Sequence, residues 1–337
     1  MAEGSLSTTI VGDSSAMREV MHIVHQVALY PYTTVLLQGE SGTGKEVIAH
    51  AIHELGCRSK SSFVALNCAA IPETLLETEL FGVEAGAYTD ARVSRPGLLT
   101  LANKGTLFLD EIASMPLSLQ AKLLRFLETH SFVPVGSVKE VHVDLRIISA
   151  TNVDLRAAVS RNAFREDLFY RLKVVPILIP PLRDRSGDID SLVSFFLQSA
   201  NNLRSKPLSI SEEARAMLRD YSWPGNVREL RSVIEYVSII CDSNLALPVH
   251  LPDYIKKSPT IAAHHLQEIL HQLHLPPEGI NLPGFLRTIE SAFVREALAY
   301  SHGNQVQAAA LLKISRDQLR YRLQLLENTE RFPQTKL

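Results

Sequence analysis

A glycine-rich segment at residues 39–45 has the residue types and spacing needed to hold the phosphates of a nucleotide. It follows a short apolar run and opens an amphipathic stretch at 45–55. Glycines let backbone N–H groups surround phosphate, a helix N-terminus adds positive potential, and a lysine adds a point charge. This strand–loop–helix context predicts a P-loop, against the weaker alternative of a glycine-rich turn with an incidental lysine. The predicted nucleotide-binding residues here are Gly39, Glu40, Ser41, Gly42, Thr43, Gly44, Lys45 and Glu46.

Two carboxylates close a second apolar run. Charge is costly to bury, so Asp110 and Glu111 at the end of a strand candidate indicate a working pair. Asp110 is placed to hold Mg²⁺, and Glu111 is placed to act as general base on an attacking water. Because Glu46 stands where many P-loops have a Ser or Thr, the metal must be held mainly from elsewhere. The alternative is that the pair only caps the following helix.

Polar residues after two further apolar runs are candidates for the same site. Thr151 and Asn152 could reach the γ-phosphate or the attacking water. Asn67 could hold Glu111 in a non-productive pose and release it. Taken alone, each of these polar residues is more typical of a cap or a turn.

Arginines in two segments could neutralise charge in a transition state. Arg165 and Arg171 are six residues apart, which separates them by about 120° on a helix, so at most one faces a given γ-phosphate squarely. An arginine from a neighbouring subunit is worth roughly 10³ or more in rate. Ion pairs with Glu166 or Asp167 are the alternative role.

The segment WPGNVREL is predicted to be a turn followed by a helix with Asn226 as its N-cap. Arg228 then lies in the first turn of that helix, from which it could touch nucleotide. A solvated or capping arginine is an equally good interpretation of this residue alone.

The elements that must position these residues alternate through the first half of the chain. Apolar runs separated by helical patterns, for example at 117–127, predict a parallel sheet covered on both faces. Beyond Pro181 only helical patterns follow, so a smaller helical region is predicted there. The apolar runs are 35–38, 63–66, 106–109 and 145–150.

A helix-turn-helix pattern ends the chain. Helices are predicted at 305–312 and 316–325, with Ser315 as N-cap of the second. Residues 285–337 carry eight basic and five acidic residues in a chain whose net charge is −2, which favours contact with phosphates. A generic helical hairpin is the alternative. The candidate DNA-binding residues are Ser315, Arg316, Gln318, Arg320, Tyr321 and Arg322.

Composition excludes several classes of protein. The 337 residues are 46% hydrophobic and 21% charged, as in ordinary globular proteins. No apolar run approaches the ~20 residues of a membrane-spanning helix, and the N-terminus lacks the features of a signal peptide. The three cysteines show no CxxC spacing, which argues against zinc and disulfides. A cytoplasmic protein without a membrane partner is predicted.

Together the motifs resemble those of sigma-54-dependent transcriptional activators, the bacterial enhancer-binding proteins. GESGTGKE, LNCAAI, ELFG, GTLFLDEI, ATN, FREDLFYRL and WPGNVREL occur in the order typical of that family. The resemblance covers about 10–254 and 285–326, with no N-terminal sensor domain before it. It implies an α/β P-loop AAA+ domain with a helical lid, followed by an all-α Fis-type helix-turn-helix domain. ATP, Mg²⁺ and assembly from a dimer to a hexameric ring are also implied.

The resemblance also implies segment boundaries. They are an N-terminal tail at 1–9, the α/β ATPase subdomain at 10–178, the helical lid at 179–255, a linker at 256–283 with one short helix at 266–273, the DNA-binding domain at 284–328 and a tail at 329–337.

Roles for single residues follow from the same resemblance. Gly12 is expected in the segment lining the adenine pocket, Lys45 as the Walker A lysine, and Asp110 and Glu111 as the Walker B pair. Asn67 is expected to switch Glu111, Thr151 and Asn152 to form sensor I, Arg165 and Arg171 to act as arginine fingers across a subunit interface, and Arg228 to be sensor II.

One loop departs from the family pattern GAFTGA. Tyr88 keeps an aromatic ring, whereas Asp90 places a carboxylate where the family has glycine. The implied function is an ATP-hydrolysing regulator that binds upstream, enhancer-like DNA and remodels the closed complex of sigma-54 RNA polymerase. The alternative is a sigma-54-independent DNA-binding regulator that uses nucleotide only to control its oligomeric state. The predicted sigma-54 contact loop is Gly86, Ala87, Tyr88, Thr89, Asp90 and Ala91.

Overall fold

The computed structural model divides into two compact units, Met1–His264 and His265–Leu337. The predicted tails, the predicted helix at 266–273 and loop residues Tyr88 to Ala91 lie outside the described residues. The structure describes residues 10–87, 93–202, 204, 206–256, 280–301, 303–312, 314–316 and 318–323.

A five-stranded parallel sheet forms the centre of the first unit. Its strands are β1 (Val35–Gln38), β2 (Phe63–Asn67), β5 (Thr106–Asp110), β8 (Arg146–Thr151) and β9 (Val175–Leu178). Their order across the sheet is β2-β5-β8-β1-β9, so neighbouring strands are joined by crossovers rather than hairpins. Leu36, Leu37, Phe108 and Ile148 are buried within it, as expected for a sheet covered on both faces. The α/β prediction is therefore confirmed.

Helices cover the sheet, and two short antiparallel pairs extend the loops between them. The helices are α1 (Ser15–Ala28), α2 (Lys45–Glu54), α3 (Glu73–Phe81), α4 (Leu98–Leu101), α5 (Leu117–Thr129), α6 (Leu155–Ser160) and α7 (Glu166–Leu172), with a 3₁₀ turn at Ile112–Ser114. The short pairs are β3 (Gly82–Val83) with β4 (Arg95–Pro96), and β6 (Ser131–Phe132) with β7 (Val141–His142).

The region after β9 is mainly helical around a core that includes buried Trp223. It is not exclusively helical, which corrects the sequence prediction, because β10 and β11 pair in parallel. Two-residue strands are too short to show a period of alternation. The elements are a 3₁₀ segment at Leu182–Asp188, α8 (Ile189–Asn201), β10 (Ser209–Ile210), α9 (Glu212–Asp220), α10 (Asn226–Ile240), β11 (Leu245–Ala246), a 3₁₀ turn at Pro248–His250 and α11 (Asp253–Lys256).

The second unit contains helices Leu282–Tyr300 and Gln305–Leu311, and residues 318–323 are helical. The first helix begins at Leu282, inside the predicted linker. Ala308, Ala309 and Leu319 are buried in the core of this unit, and Leu312, Ile314 and Leu323 pack against it. None of the described helices is both long and apolar enough to cross a membrane.

Candidate nucleotide-binding site and DNA-binding helices

The glycine-rich loop connects β1 to α2, as the sequence predicts. Gly42 and Gly44 have φ angles of +79° and +102°, a region that favours glycine because it has no Cβ. Lys45 begins α2 and its Nζ donates to the carbonyls of Gly39 and Glu40 at 2.9 and 3.1 Å. Burial lowers the pKa of Lys45, and the carboxylates of Glu111 and Asp110 partly oppose that shift.

Asp110 is the last residue of β5, and Glu111 follows with a left-handed φ of +50°. The Asp110 Oδ1 accepts a hydrogen bond from the backbone N–H of Glu111 at 2.9 Å. Both carboxylates are partly exposed and contribute to the potential at the Lys45 ammonium. A partly hydrated carboxylate facing a phosphate loop fits the all-oxygen coordination that Mg²⁺ requires.

The neighbouring strands bring further predicted residues to the same sheet edge. Asn67 pairs in register with Asp110, and its Oδ1 accepts from the N–H of Ala69 at 2.9 Å. Thr151 ends β8, is buried, and its hydroxyl accepts from the N–H of Val153 at 3.0 Å. Exposed Asn152 follows it. The side chains of Asn67 and Thr151 are therefore hydrogen-bonded to nearby backbone N–H groups. Their predicted roles toward Glu111 or phosphate stay predictions.

The lid side of the loop is held by residues of the 3₁₀ segment and α10. Arg228 Nη1 donates to the Ser41 hydroxyl at 2.9 Å. Arg183 makes a two-pronged ion pair with Glu40, at 2.6 and 2.9 Å. Arg183 was not among the predicted residues, because nothing in its local pattern indicates a partner 143 positions away.

Asn226 is not the N-cap of α10, which corrects the sequence prediction. The cap position is Gly225, and Asn226 has a φ of +53° and a fully buried side chain. Its Oδ1 accepts from the N–H of Leu182 at 2.8 Å, while its Nδ2 donates to Ser41 O at 3.0 Å and Glu40 Oε2 at 3.1 Å. The amide thus joins the lid to the phosphate loop.

An apolar cleft adjoins the loop near Gly12. A Cβ at Gly12 would lie 2.8 Å from the Asp188 carboxylate, which also accepts from the N–H groups of Asp13 and Ser14. The segment carrying Gly12 is thereby fixed next to Val11, which lines the cleft, and the predicted role of Gly12 in an adenine pocket stays a prediction. The lining residues include Val11, Val47, Phe195, Phe196 and Val227.

The two predicted finger arginines bond to groups outside this chain's own phosphate loop. Arg165 precedes α7 rather than lying on it, so the predicted 120° separation on one helix is wrong. Its guanidinium is exposed and pairs with Asp167 at 2.7 Å. Arg171 Nη2 donates to Leu127 O at 2.8 Å. The backbone carbonyl of Arg171 accepts from Thr34, which precedes β1, so this residue lies at the opposite end of β1 from the loop.

The described part of the departing loop is its base. Gly86 has a φ of +89°, and a Cβ on Gly136 would lie 2.3 Å from that of Ala87, so the loop base packs against the turn between β6 and β7. The residues from Tyr88 to Ala91 are not described.

The predicted DNA-binding residues divide into two groups. Ser315 and Gln318 form a reciprocal capping box, with N–H to side-chain distances of 3.0 and 3.2 Å. Arg322 Nε donates to Glu290 within the unit. The side chains of Arg316, Arg320 and Tyr321 are exposed. The predicted N-cap is thus confirmed. Ser315 and Gln318 are exposed as well, and the DNA contacts of all six residues stay predictions.

Three family models match the chain in succession. They are the sigma-54 interaction domain at residues 10–178, the AAA+ ATPase lid domain at 183–268, and the bacterial regulatory protein Fis family at 285–325. This chain belongs to the family of sigma-54-dependent transcriptional regulators. It is therefore a bacterial regulator with an AAA+ P-loop NTPase domain and a DNA-binding helix-turn-helix.

Individual relatives agree with this assignment. The regulatory protein AtoC of Escherichia coli is 43% identical over 94% of this chain and 67% of its own length. The transcriptional regulator NtrC of Proteus hauseri is 41% identical over 94% of this chain and 69% of its own. The crystal structure of NtrX from Brucella abortus in complex with ADP is 34% identical, with a TM-score of 0.68, and covers 95% of this chain and 69% of that one. The chain spans about half to two thirds of the length of the curated relatives it matches.

Proposed function

We propose that this protein hydrolyses ATP to ADP and phosphate and uses the cycle to remodel the closed complex of sigma-54 RNA polymerase. Its helix-turn-helix would hold it on upstream DNA in the cytoplasm. One observation carries the ATPase part of the proposal: Lys45, Asp110, Glu111 and Thr151 converge on the phosphate loop from separate elements. The NtrX crystal structures with ADP and with ATP support a nucleotide at this place.

The chemistry would be in-line attack of water on the γ-phosphate. The loop N–H groups and Lys45 bind the phosphates, after the Lys45 ammonium leaves the carbonyls of Gly39 and Glu40. Asp110 would hold Mg²⁺, which supplies charge neutralisation on the phosphate oxygens. Glu111 accepts the proton of the attacking water, and Thr151 and Asn152 orient the γ-phosphate or that water.

Arg165 and Arg171 would act on the nucleotide of a neighbouring subunit in a ring. The position of Arg171, at the opposite end of β1 from this chain's own loop, supports action in trans for that residue. The Arg165–Asp167 ion pair is exposed, so opening it is cheap. Arg165→Ala should abolish turnover in uniform rings and be rescued in rings mixed with Glu111→Gln subunits, which keep the arginine.

The decisive test of the ATPase proposal is Glu111→Gln. This change keeps the shape of the side chain and removes its basicity, so ATP should still bind while turnover falls about 10²-fold or more. Glu128→Gln, on the exposed face of α5, is the matched control and should change neither. Normal turnover in Glu111→Gln would exclude this glutamate as the base.

The polymerase part of the proposal needs a separate test. Purified sigma-54 should form a complex with this protein in ADP plus a metal-fluoride phosphate mimic, and Tyr88→Ala should abolish it. If no complex forms with protein that hydrolyses ATP and binds DNA, nucleotide serves only to set the oligomeric state. Asp90→Gly would then be the first variant to test for recovery of the complex.

A further inference from the structure

Three consecutive carbonyl groups of the phosphate loop are held by donors from the lid. Asn226 Nδ2 donates to Ser41 O at 3.0 Å. The backbone N–H groups of Val227 and Arg228 donate to Gly42 O at 3.0 and 3.3 Å. Arg185 Nη2 donates to Thr43 O at 2.9 Å. We name these four donors the carbonyl clamp.

We propose that the carbonyl clamp positions the loop for the phosphates, with Asn226 and Arg185 as its positioning residues. In a trans peptide the carbonyl and the following N–H point in opposite directions. Holding the carbonyls of residues 41, 42 and 43 toward the lid therefore turns the N–H groups of residues 42, 43 and 44 the other way. Those amides are the ones that a P-loop offers to phosphate.

The two side chains of the clamp are buried. Asn226 is 0% exposed and Arg185 is 4% exposed, so water does not compete for their bonds and each bond is stronger than at a surface. The lid also packs directly against the loop, because a Cβ at Gly42 would lie 2.4 Å from Gly225 O. The Asn226 side chain is also anchored by Leu182 N–H, which fixes the direction of its amide donor.

The clamp differs from the contact that the lysine makes. Lys45 binds the carbonyls of Gly39 and Glu40 and must release them to reach phosphate. The lid donors bind the next three carbonyls and can stay in place when nucleotide enters. The clamp therefore supplies the part of the loop geometry that exists before binding and persists through it, which lowers the ordering cost of binding.

The test compares ADP with AMP, because only ADP carries the β-phosphate that the loop would hold. This inference rests on the proposed nucleotide site. Asn226→Asp keeps the acceptor for Leu182 and replaces the donor to Ser41 O and Glu40 Oε2 with an oxygen. It should lower the ADP-to-AMP affinity ratio about tenfold. Arg185→Met removes the donor to Thr43 without leaving a charge and should lower the same ratio about threefold.

The matched control is Asn201→Asp. The amide of Asn201 also accepts from one backbone N–H and donates to one carbonyl, both of Leu208, at 2.8 and 3.1 Å. It should reduce the melting temperature as Asn226→Asp does while leaving the ADP-to-AMP ratio unchanged. If Asn226→Asp fails to fold, Arg185→Met alone decides.

The outcomes separate the clamp from the nucleotide site itself. Wild-type protein that binds neither ADP nor ATP would contradict the proposed function and the clamp together. Wild-type binding with an ADP-to-AMP ratio unchanged in both variants would contradict the clamp alone. An equal loss of ADP and AMP affinity would place Asn226 and Arg185 in the base pocket and likewise overturn the clamp.

Discussion

The nucleotide site and the C-terminal helices reach their geometry in different ways. In the nucleotide site the bonds join distant residues, such as Arg228 and Ser41, 187 positions apart. In the C-terminal helices, Ser315 and Gln318 cap a helix across three positions. The first kind of site exists only when the whole unit is folded, whereas the second is nearly complete within one turn. Substitutions should therefore couple stability to function in the first region and separate them in the second.

The largest expected effect is that of Gly42→Ala, which should lower stability and nucleotide affinity together. An alanine Cβ would require a positive φ and a 2.4 Å approach to Gly225 O. The free energy of unfolding should fall by about 2 kcal/mol or more, and ADP affinity should fall with it. Chemical denaturation and calorimetric titration would measure both.

Gly187→Ala is the control for that change. Nothing lies within 4 Å of a Cβ at Gly187, so stability and ADP affinity should stay near wild type. Unchanged ADP affinity in a destabilised Gly42→Ala protein would show that the lid and loop are not energetically coupled.

Arg316→Ala and Arg320→Ala should weaken DNA binding without affecting folding. Both side chains are exposed, so each change should remove about one phosphate contact and lower the slope of log affinity against log salt by about 1. Fluorescence anisotropy with a short duplex at several salt concentrations would measure this. Arg322→Ala is the comparison, because its guanidinium pairs with Glu290. A larger loss in Arg322→Ala than in the other two would mean that Arg322, rather than Arg316 or Arg320, is the main phosphate contact.

Ser315→Ala should destabilise the second DNA-binding helix by about 1 kcal/mol, as loss of an N-cap does. Hydrogen exchange of the amides at 318–323 should speed up accordingly. Ser291→Ala removes a hydroxyl that donates to a carbonyl of its own helix, Thr288 O, and should leave those amides unchanged. Equal exchange in the two variants would show that the capping box contributes nothing.

The smallest effect concerns the thiols and leaves the fold intact. Cys57 is exposed, whereas Cys68 and Cys241 are buried. Burial, with added repulsion from Asp110 and Glu111, raises the pKa of Cys68 to about 12. At pH 8 iodoacetamide should therefore modify Cys57 first, and Cys68 should react only after unfolding or as pH rises toward its pKa. Mass spectrometry of native and denatured samples would test this, and native labelling of Cys68 would mean that its strand edge opens.

Local patterns predict much of the nucleotide site. The glycines at 42 and 44, Lys45 at a helix start, and Asp110 at a strand end follow from short-range rules about turns, helix ends and buried charge. These residues occupy the predicted places in their turn, helix or strand because neighbouring backbone decides where those elements begin and end. The capping box of Ser315 was predictable for the same reason, since its two partners lie in one turn.

The errors fall where the partner is distant or the element is very short. Asn226 reads as a helix cap because Asn often caps helices, yet its amide binds Ser41, 185 positions away. Arg165 reads as a helical residue because its neighbours have helical spacing, yet the helix begins one residue later. The β10–β11 pair consists of two-residue strands, which show no period at all.

The sequence by itself determined the chemical inventory of this protein: a phosphate loop, an acidic pair at a strand end and a basic helix-turn-helix. The first two are encoded within about ten consecutive residues and the third within about twenty, by backbone preferences that operate locally. Only the tertiary structure decided which donors hold the phosphate loop and which end of the sheet carries Arg171. Those contacts depend on packing between elements far apart in the chain, and packing leaves no periodic signal around a single residue.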